Sequence, residues 1–239
     1  MTLTASPRYA KNVMPELSRQ DLAATAATVY VVDDEDTVRR ALARLIRSAG
    51  MTARTFPTAE AFLAESHAVP ASCLVLDVHL PGLNGLELQE AINRKGYLLS
   101  IVFITGHGDV PTSVRAMKAG AVDFLQKPFA GHELLDAIRR AVHRTREAVS
   151  RQVECAEIRR RYDTMTSRER EVFSLVVSGL LNKQVAGELG AAEKTIKIHR
   201  GRVMAKMRAP SLADLVRMAG LLGIPEQASA VRDTPGASQ

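Results

Sequence analysis

The stretch SCLVLDVHLPGLNGLEL, residues 72–88, sets consecutive apolar positions from Cys73 to Leu76 before an acid, Asp77, and a Pro81-Gly82 break, after which GLELQEAINRKG begins. An unbroken apolar run lacks the alternation of a strand with one wet face, so it reads as a parallel strand covered on both sides by helices. The proline and glycine turn the chain, and the next segment is amphipathic at helical spacing. This is one strand-loop-helix step.

The step recurs outward from there. Between Thr28 and about Phe129, TVYVV precedes VRRALARLIRSAG, SIVFIT precedes VRAMKAG, and VDFLQK closes the series. Val29 to Val32 is again apolar at consecutive positions, and Gly50 and Gly120 follow helical patterns where a left-handed cap suits them. The spacing predicts an α/β domain over 28–130, an open, doubly wound parallel sheet of about five strands.

Ligands of such sheets bind beyond the carboxyl ends of the strands. Those ends are polar here: Asp33-Asp34 after the first strand, Asp77 after the third, Thr105-Gly106 after the fourth and Lys127-Pro128 after the fifth. Taken singly these features are common, since Asp pairs cap helices and a lone Lys is usually a solvated surface group. Their placement at four strand ends is what points to chemistry. Three converging carboxylates repel one another unless a cation neutralises them, and Mg²⁺, a hard ion held by one or two carboxylates and phosphate oxygens, suits the set. With its charge shielded, Asp77 is a candidate nucleophile toward a phosphoryl group, and Lys127 and the Thr105 hydroxyl are candidate partners for the phosphoryl oxygens.

The segments VVDDE, LVLDVHLPGLNGLEL, VFITGHGDV and AVDFLQKPF resemble the receiver domain of two-component response regulators over roughly residues 28–130. That resemblance implies Asp77 as phosphoacceptor, Asp34 and the backbone carbonyl of His79 as Mg²⁺ ligands beside Asp77, and Asp33 acting through water. It also implies a cis peptide before Pro128 and a switch in which Thr105 moves toward the phosphoryl group while Phe124 rotates inward behind it. The side chain of His79 is expected to be an exposed bystander, and His107, in a Gly-His-Gly loop, is given no catalytic role.

From His132 to about Arg161 the chain lacks Gly and Pro and sets Leu135, Val142, Val149 and Ala156 seven residues apart, which predicts a linker helix over 131–162. The d-like positions include Thr145 and Gln152, so a connecting helix is preferred to a coiled coil. Residues 163–223 read as four helices. Thr166 and Glu169 have capping-box spacing, Asn182 can cap a short helix ending near Gly190, and a basic helix begins at about Glu193. Ile196, Val203 and Met207 share its inward face. Lys194, Ile198, Gly201 and Ala205 lie opposite, flanked by Lys197, Arg202 and Arg208, a small-residued cationic face suited to a major groove. His199 and Arg200 fall nearer the buried side.

The segments TSRE, GLLNKQVAGELG, KTIKIHRGRVMAKM and DLVRMA resemble the LuxR-type helix-turn-helix, and their pairing with a receiver resembles the FixJ group of NarL-family regulators. The resemblance implies a transcriptional regulator, an activator, phosphorylated by a sensor histidine kinase, binding paired half-sites of double-stranded promoter DNA as a homodimer when phosphorylated, with RNA polymerase as a further partner. It puts Lys197, Ile198 and Gly201 nearest the bases, and Asn182, Lys183, Thr195 and Arg202 at phosphates, with Lys194 on the same face. Such a protein catalyses only its own aspartyl phosphorylation and dephosphorylation.

Composition agrees with this division. Of the formal net charge of +6, the excess sits late: residues 28–130 hold 10 Lys/Arg against 11 Asp/Glu, residues 166–223 hold 10 against 5. No apolar run reaches the roughly 18 residues that cross a bilayer, so the expectation is a cytoplasmic protein with no membrane contact. Cys73 and Cys155 stand in unlike surroundings, which argues against a bridge. Residues 1–27 are expected to be an N-terminal extension and 224–239 a disordered tail. A Mg²⁺-dependent phosphotransferase using the same carboxylates is disfavoured because no insert for a further substrate interrupts the strands.

Overall fold

Strand residues that are apolar at every position have two layers to serve. The computed structural model describes residues 26–65, 72–106 and 108–224, so most of the expected extension and tail, and His107, lie outside the described residues. Its strands are β1 (Thr28–Val32), β2 (Thr52–Phe56), β3 (Ser72–Asp77), β4 (Ser100–Thr105) and β5 (Asp123–Gln126), all parallel, in the order β2-β1-β3-β4-β5. Val29, Val31, Val75, Val102 and Ile104 face one apolar layer with Leu42, Ile46, Leu134 and Ile138. Tyr30, Leu74, Leu76 and Phe103 face the other, with Phe62, Leu88 and Ile92. Each such side chain contributes roughly 1.5–3 kcal/mol on burial, and covering both faces removes the polar alternation. β2, an edge strand reading TARTF, is buried only at Ala53 and Phe56.

Helices α1 (Asp36–Ser48), α2 (Ala59–Ala64), α3 (Gly85–Lys95) and α4 (Val110–Lys118) connect the strands. The order reverses between β1 and β3, which opens a crevice beyond their carboxyl ends. Gly50 and Gly120 take φ of 77° and 100°, the left-handed caps expected of them.

Helix α5 (Gly131–Asp163) follows β5, and the chain divides into two compact units between Val153 and Glu154, inside this helix. Leu134, Ala137, Ile138, Ala141 and Val142 pack on the sheet. In the seven-residue series Val142 and Val149 are buried, Leu135 is half-buried and Ala156 is exposed. The polar interruption at Thr145 has a local cause: this side chain is buried and accepts the backbone N–H of Ser100 at 3.0 Å, satisfying a donor at the start of β4. Much of the series is therefore spent within the first unit.

The second unit holds α6 (Ser167–Val177), α7 (Asn182–Glu188), α8 (Glu193–Met207) and α9 (Leu212–Leu221) around Val172, Phe173, Val185, Ile196, Val203, Met207 and Leu215. The expected capping box forms: Thr166 Oγ1 accepts the Glu169 N–H and Glu169 Oε2 accepts the Thr166 N–H. Glu169, 3% exposed, does more than cap, because the same oxygen accepts from Lys206 Nζ at 2.6 Å and so ties the start of α6 to the end of α8.

The hydrogen bond from Lys206, then that from the Thr166 N–H, holds the Glu169 carboxyl below its ordinary value. A depressed carboxyl contributes stability that is present above its unfolded pKa, about 4.3, and is lost as pH falls through the folded value. Glu169→Ala is expected to lower the stability of the helical unit by about 1–3 kcal/mol at neutral pH, and the deficit should shrink below about pH 4. Urea unfolding of wild type and variant, followed by circular dichroism at each pH, checks both statements.

Candidate functional site

The register Val32↔Leu76 between β1 and β3 sets Asp33, just past β1, beside Asp77, the last residue of β3. Asp33, Asp34 and Asp77 each offer a carboxylate oxygen within 4.8 Å of the others. Asp33 is fully buried and Asp77 5% exposed, whereas Asp34 faces solvent. Lys127, leaving β5, brings its Nζ to 2.8 Å from Asp33 Oδ2 and 2.7 Å from Asp77 Oδ2, with Glu35 Oε1 3.9 Å away. The other oxygens accept backbone donors: Asp33 Oδ1 from the Glu35 N–H and Asp77 Oδ1 from the His79 N–H, both at 2.9 Å.

One ammonium serves two buried carboxylates and a third at their edge, so the pocket is short of positive charge. Burial pushes the Asp33 carboxyl above its usual value, and the charge of Asp77 adds to this, outweighing the bonds from Lys127 and the Glu35 N–H. Burial also works against the charge on Lys127, but its bonds to Asp33 and Asp77 more than offset that and raise its pKa. A further cation would relieve the deficit, and an all-oxygen donor set fits a hard divalent ion such as Mg²⁺.

Three residues that the sequence reading did not single out shape this pocket. Arg39 Nη1 donates to the backbone carbonyls of Asp33 at 2.7 Å and Asp34 at 2.8 Å, fixing the loop that carries both acids. A signal existed: a basic side chain in the first turn of α1 opposes the helix dipole and needs a local reason. Glu60, from α2, accepts the Leu83 N–H at 3.1 Å and steadies the loop after β3. Gly85, at the start of α3, is packed so closely that a Cβ there would collide with the Asp77 carbonyl oxygen.

Thr105 ends β4 with its side chain fully buried, and its Oγ1 lies 3.3 Å from Nδ1 of His79. His79 is exposed, as expected, and its ring makes this side-chain contact with Thr105. Phe124 is half-buried, its ring tilted against Phe103 at 6.2 Å. The peptide before Pro128 is cis, as the resemblance implies.

On α8, Ile196, Val203 and Met207 are completely buried, while Lys194, Thr195, Lys197, Ile198, Gly201, Arg202 and Ala205 are exposed; Arg208, also exposed, is not on the helical face but ends the helix as its left-handed cap, with φ of 53°. A Cβ at Gly201 would meet nothing within 4 Å, so packing does not demand glycine there. Lys183 is exposed near the start of α7. Arg200 turns inward and donates to Asn182 Oδ1 at 3.1 Å. This corrects the expectation that Asn182 caps α7: Leu181 occupies the cap position, its N–H is taken by Gln184 Oε1 at 2.8 Å, and Asn182 is the first helical residue, its carbonyl oxygen engaged by Arg200.

Known proteins resemble both units. The response regulator receiver domain model matches residues 29–139, and the model of bacterial regulatory proteins of the luxR family matches residues 163–219. The chain is 52% identical to nodulation protein W of Bradyrhizobium diazoefficiens over 202 residues, 84% of this chain and 89% of that protein. It is 44% identical to the transcriptional regulatory protein FixJ of Rhizobium meliloti over 195 residues, 82% of this chain and 96% of that protein. Among solved structures, the response regulator StyR is similar with a TM-score of 0.73 and 44% identity, over 82% of this chain and 99% of that one. With both family matches in one chain, and relatives aligned across nearly their whole length, the protein belongs to the two-component response regulators that join a receiver to a LuxR-type helix-turn-helix domain, the group that includes FixJ.

Proposed function

We propose that Asp77 is phosphorylated by a sensor histidine kinase and that the resulting aspartyl phosphate controls dimerisation and promoter binding through α8. The observation that carries this reading is the bridge of Lys127 Nζ to Asp33 at 2.8 Å and Asp77 at 2.7 Å, a buried carboxylate held in place with a cation already beside it. A carboxylate oxygen of Asp77 attacks the phosphorus of a phosphohistidine, the P–N bond breaks, and the imidazole leaves with the bonding pair. Lys127 then holds a phosphoryl oxygen in place of a carboxylate partner. The Thr105 hydroxyl moves to donate to another, and Phe124 follows it inward. Transfer of this kind needs chiefly positioning and charge neutralisation.

Asp34, Asp77 and the His79 carbonyl would hold Mg²⁺ directly, with Asp33 acting through water. When bound, the ion neutralises charge on the phosphoryl oxygens. No second substrate is implied, and the chemistry is confined to gaining and losing the phosphoryl group on Asp77. In the second unit the exposed face of α8 enters the major groove, with Lys197, Ile198 and Gly201 at base edges and Lys183, Lys194, Thr195 and Arg202 toward phosphates. Asn182, whose Oδ1 accepts from Arg200, reaches a phosphate through its amide N–H. The bound dimer, on paired half-sites, acts as an activator that meets RNA polymerase.

Asp77→Asn is expected to abolish incorporation of labelled phosphate from acetyl phosphate and to make DNA affinity indifferent to that reagent; an unchanged response of the variant would sink the reading. Lys127→Met removes the shared ammonium. For fully buried pairs such a loss costs roughly 3–5 kcal/mol, and with Lys127 19% exposed we expect about 2–3, partly recovered by millimolar Mg²⁺ in thermal melts. For α8, Lys197→Ala should weaken binding to duplexes selected from a random pool by roughly 1–3 kcal/mol, and Gly201→Glu should abolish it, both with phosphorylation intact.

A further inference from the structure

We propose that His79 is a positioning residue that holds the Thr105 hydroxyl in its unphosphorylated place, so that the imidazole and the phosphoryl group compete for one side chain. The proposal rests on the phosphorylation of Asp77 set out above. Its geometric basis is the 3.3 Å hydrogen bond between Nδ1 of His79 and Oγ1 of Thr105. In either tautomer of the ring this bond favours the present place of the hydroxyl oxygen, and Thr105 breaks it on moving toward Asp77.

The backbone that carries the ring is itself held. The backbone N–H of His79 donates to Asp77 Oδ1 at 2.9 Å, and the Val78 N–H donates to the Ile104 carbonyl at 3.1 Å, extending the β3-β4 ladder by one bond. Two backbone bonds therefore place the imidazole over the end of β4, one of them made by the phosphoacceptor.

The route onward from Thr105 runs to its neighbour Phe124. Gly108, in the loop before α4, lies so near that a Cβ there would be 3.3 Å from both Thr105 Cγ2 and Phe124 Cε1. The two side chains share one crevice under a residue without a side chain, so the place of Thr105 limits the space open to Phe124. His79 thereby acts on Phe124 through Thr105, and its bond belongs to the unphosphorylated state of a two-state element.

A hydrogen bond present in only one of two states shifts their ratio by roughly fivefold. The test uses the full chain with Mg²⁺ and beryllofluoride, a stable mimic of the phosphoryl group, with affinity read by calorimetry. His79→Phe keeps a ring of similar shape and removes the nitrogen; it should bind beryllofluoride roughly fivefold more tightly than wild type. His79→Asn, which restores a polar atom near the Nδ1 position, should return to the wild-type value. In a Thr105→Val background, His79→Phe should change nothing, because the hydroxyl it would release is gone. Equal or weaker binding by His79→Phe overturns the proposal, as does an equal gain with Thr105→Val, which would mean that the ring acts on the pocket directly. Wild-type protein that binds no beryllofluoride, or binds it as well after Asp77→Asn, overturns the phosphorylation reading and the latch with it.

Discussion

Three strand ends meet at the ammonium of Lys127. Its bonds to Asp33 and Asp77 bring the loops that follow β1, β3 and β5 to one point, and they do so with too little positive charge for the acids present. Two buried carboxylates with one ammonium form a stable arrangement only while the remaining oxygens accept backbone N–H groups, as Glu35 and His79 supply here. The same shortage makes the pocket receptive to a divalent cation, which in turn lets a carboxylate meet a phosphoryl group. The parallel sheet makes this convergence possible, because every strand delivers its carboxyl end to the same edge.

The second unit uses a related device for a different end. Glu169 is a buried carboxylate with a lysine partner and a backbone donor, but its charges are matched, and its effect is to fix α8 against α6. With Lys206 and Arg200 drawn inward, the cations left outward on α8 are Lys194, Lys197 and Arg202. A matched pair gives a rigid scaffold, whereas an unmatched cluster gives a site that responds to what binds it. Helix α5 crosses the boundary between the units, and its polar position at Thr145 serves the sheet it packs on.

Much of this was legible in the sequence because the signals were strong and local. Consecutive apolar residues gave β1, β3 and β4, and the acids and lysine at strand ends gave the pocket, since a parallel sheet fixes which end of each strand meets which. The capping box at Thr166 needed only a spacing of three. β2 was less legible because TARTF, at the edge of the sheet, buries only two residues, Ala53 on one face and Phe56 on the other. Arg39 escaped notice because its role lies in carbonyls of the preceding loop, which no pattern of side chains records. Asn182 misled for a related reason: a good capping residue caps a helix only if no tertiary partner claims its side chain, and Arg200, 18 residues later, does. The His79 contact with Thr105 likewise joins positions 26 apart in sequence, adjacent only once β3 and β4 are paired.

The account stands on Asp77 being the atom-level target of the phosphoryl group. An acyl phosphate is reduced by borohydride, which converts the aspartate that carried it into homoserine. After treatment with acetyl phosphate and Mg²⁺, peptide mass spectrometry should find that conversion at position 77 and leave Asp33 and Asp34 unaltered. Homoserine at either of those positions, or phosphate retained on the ring of His79, would contradict the account.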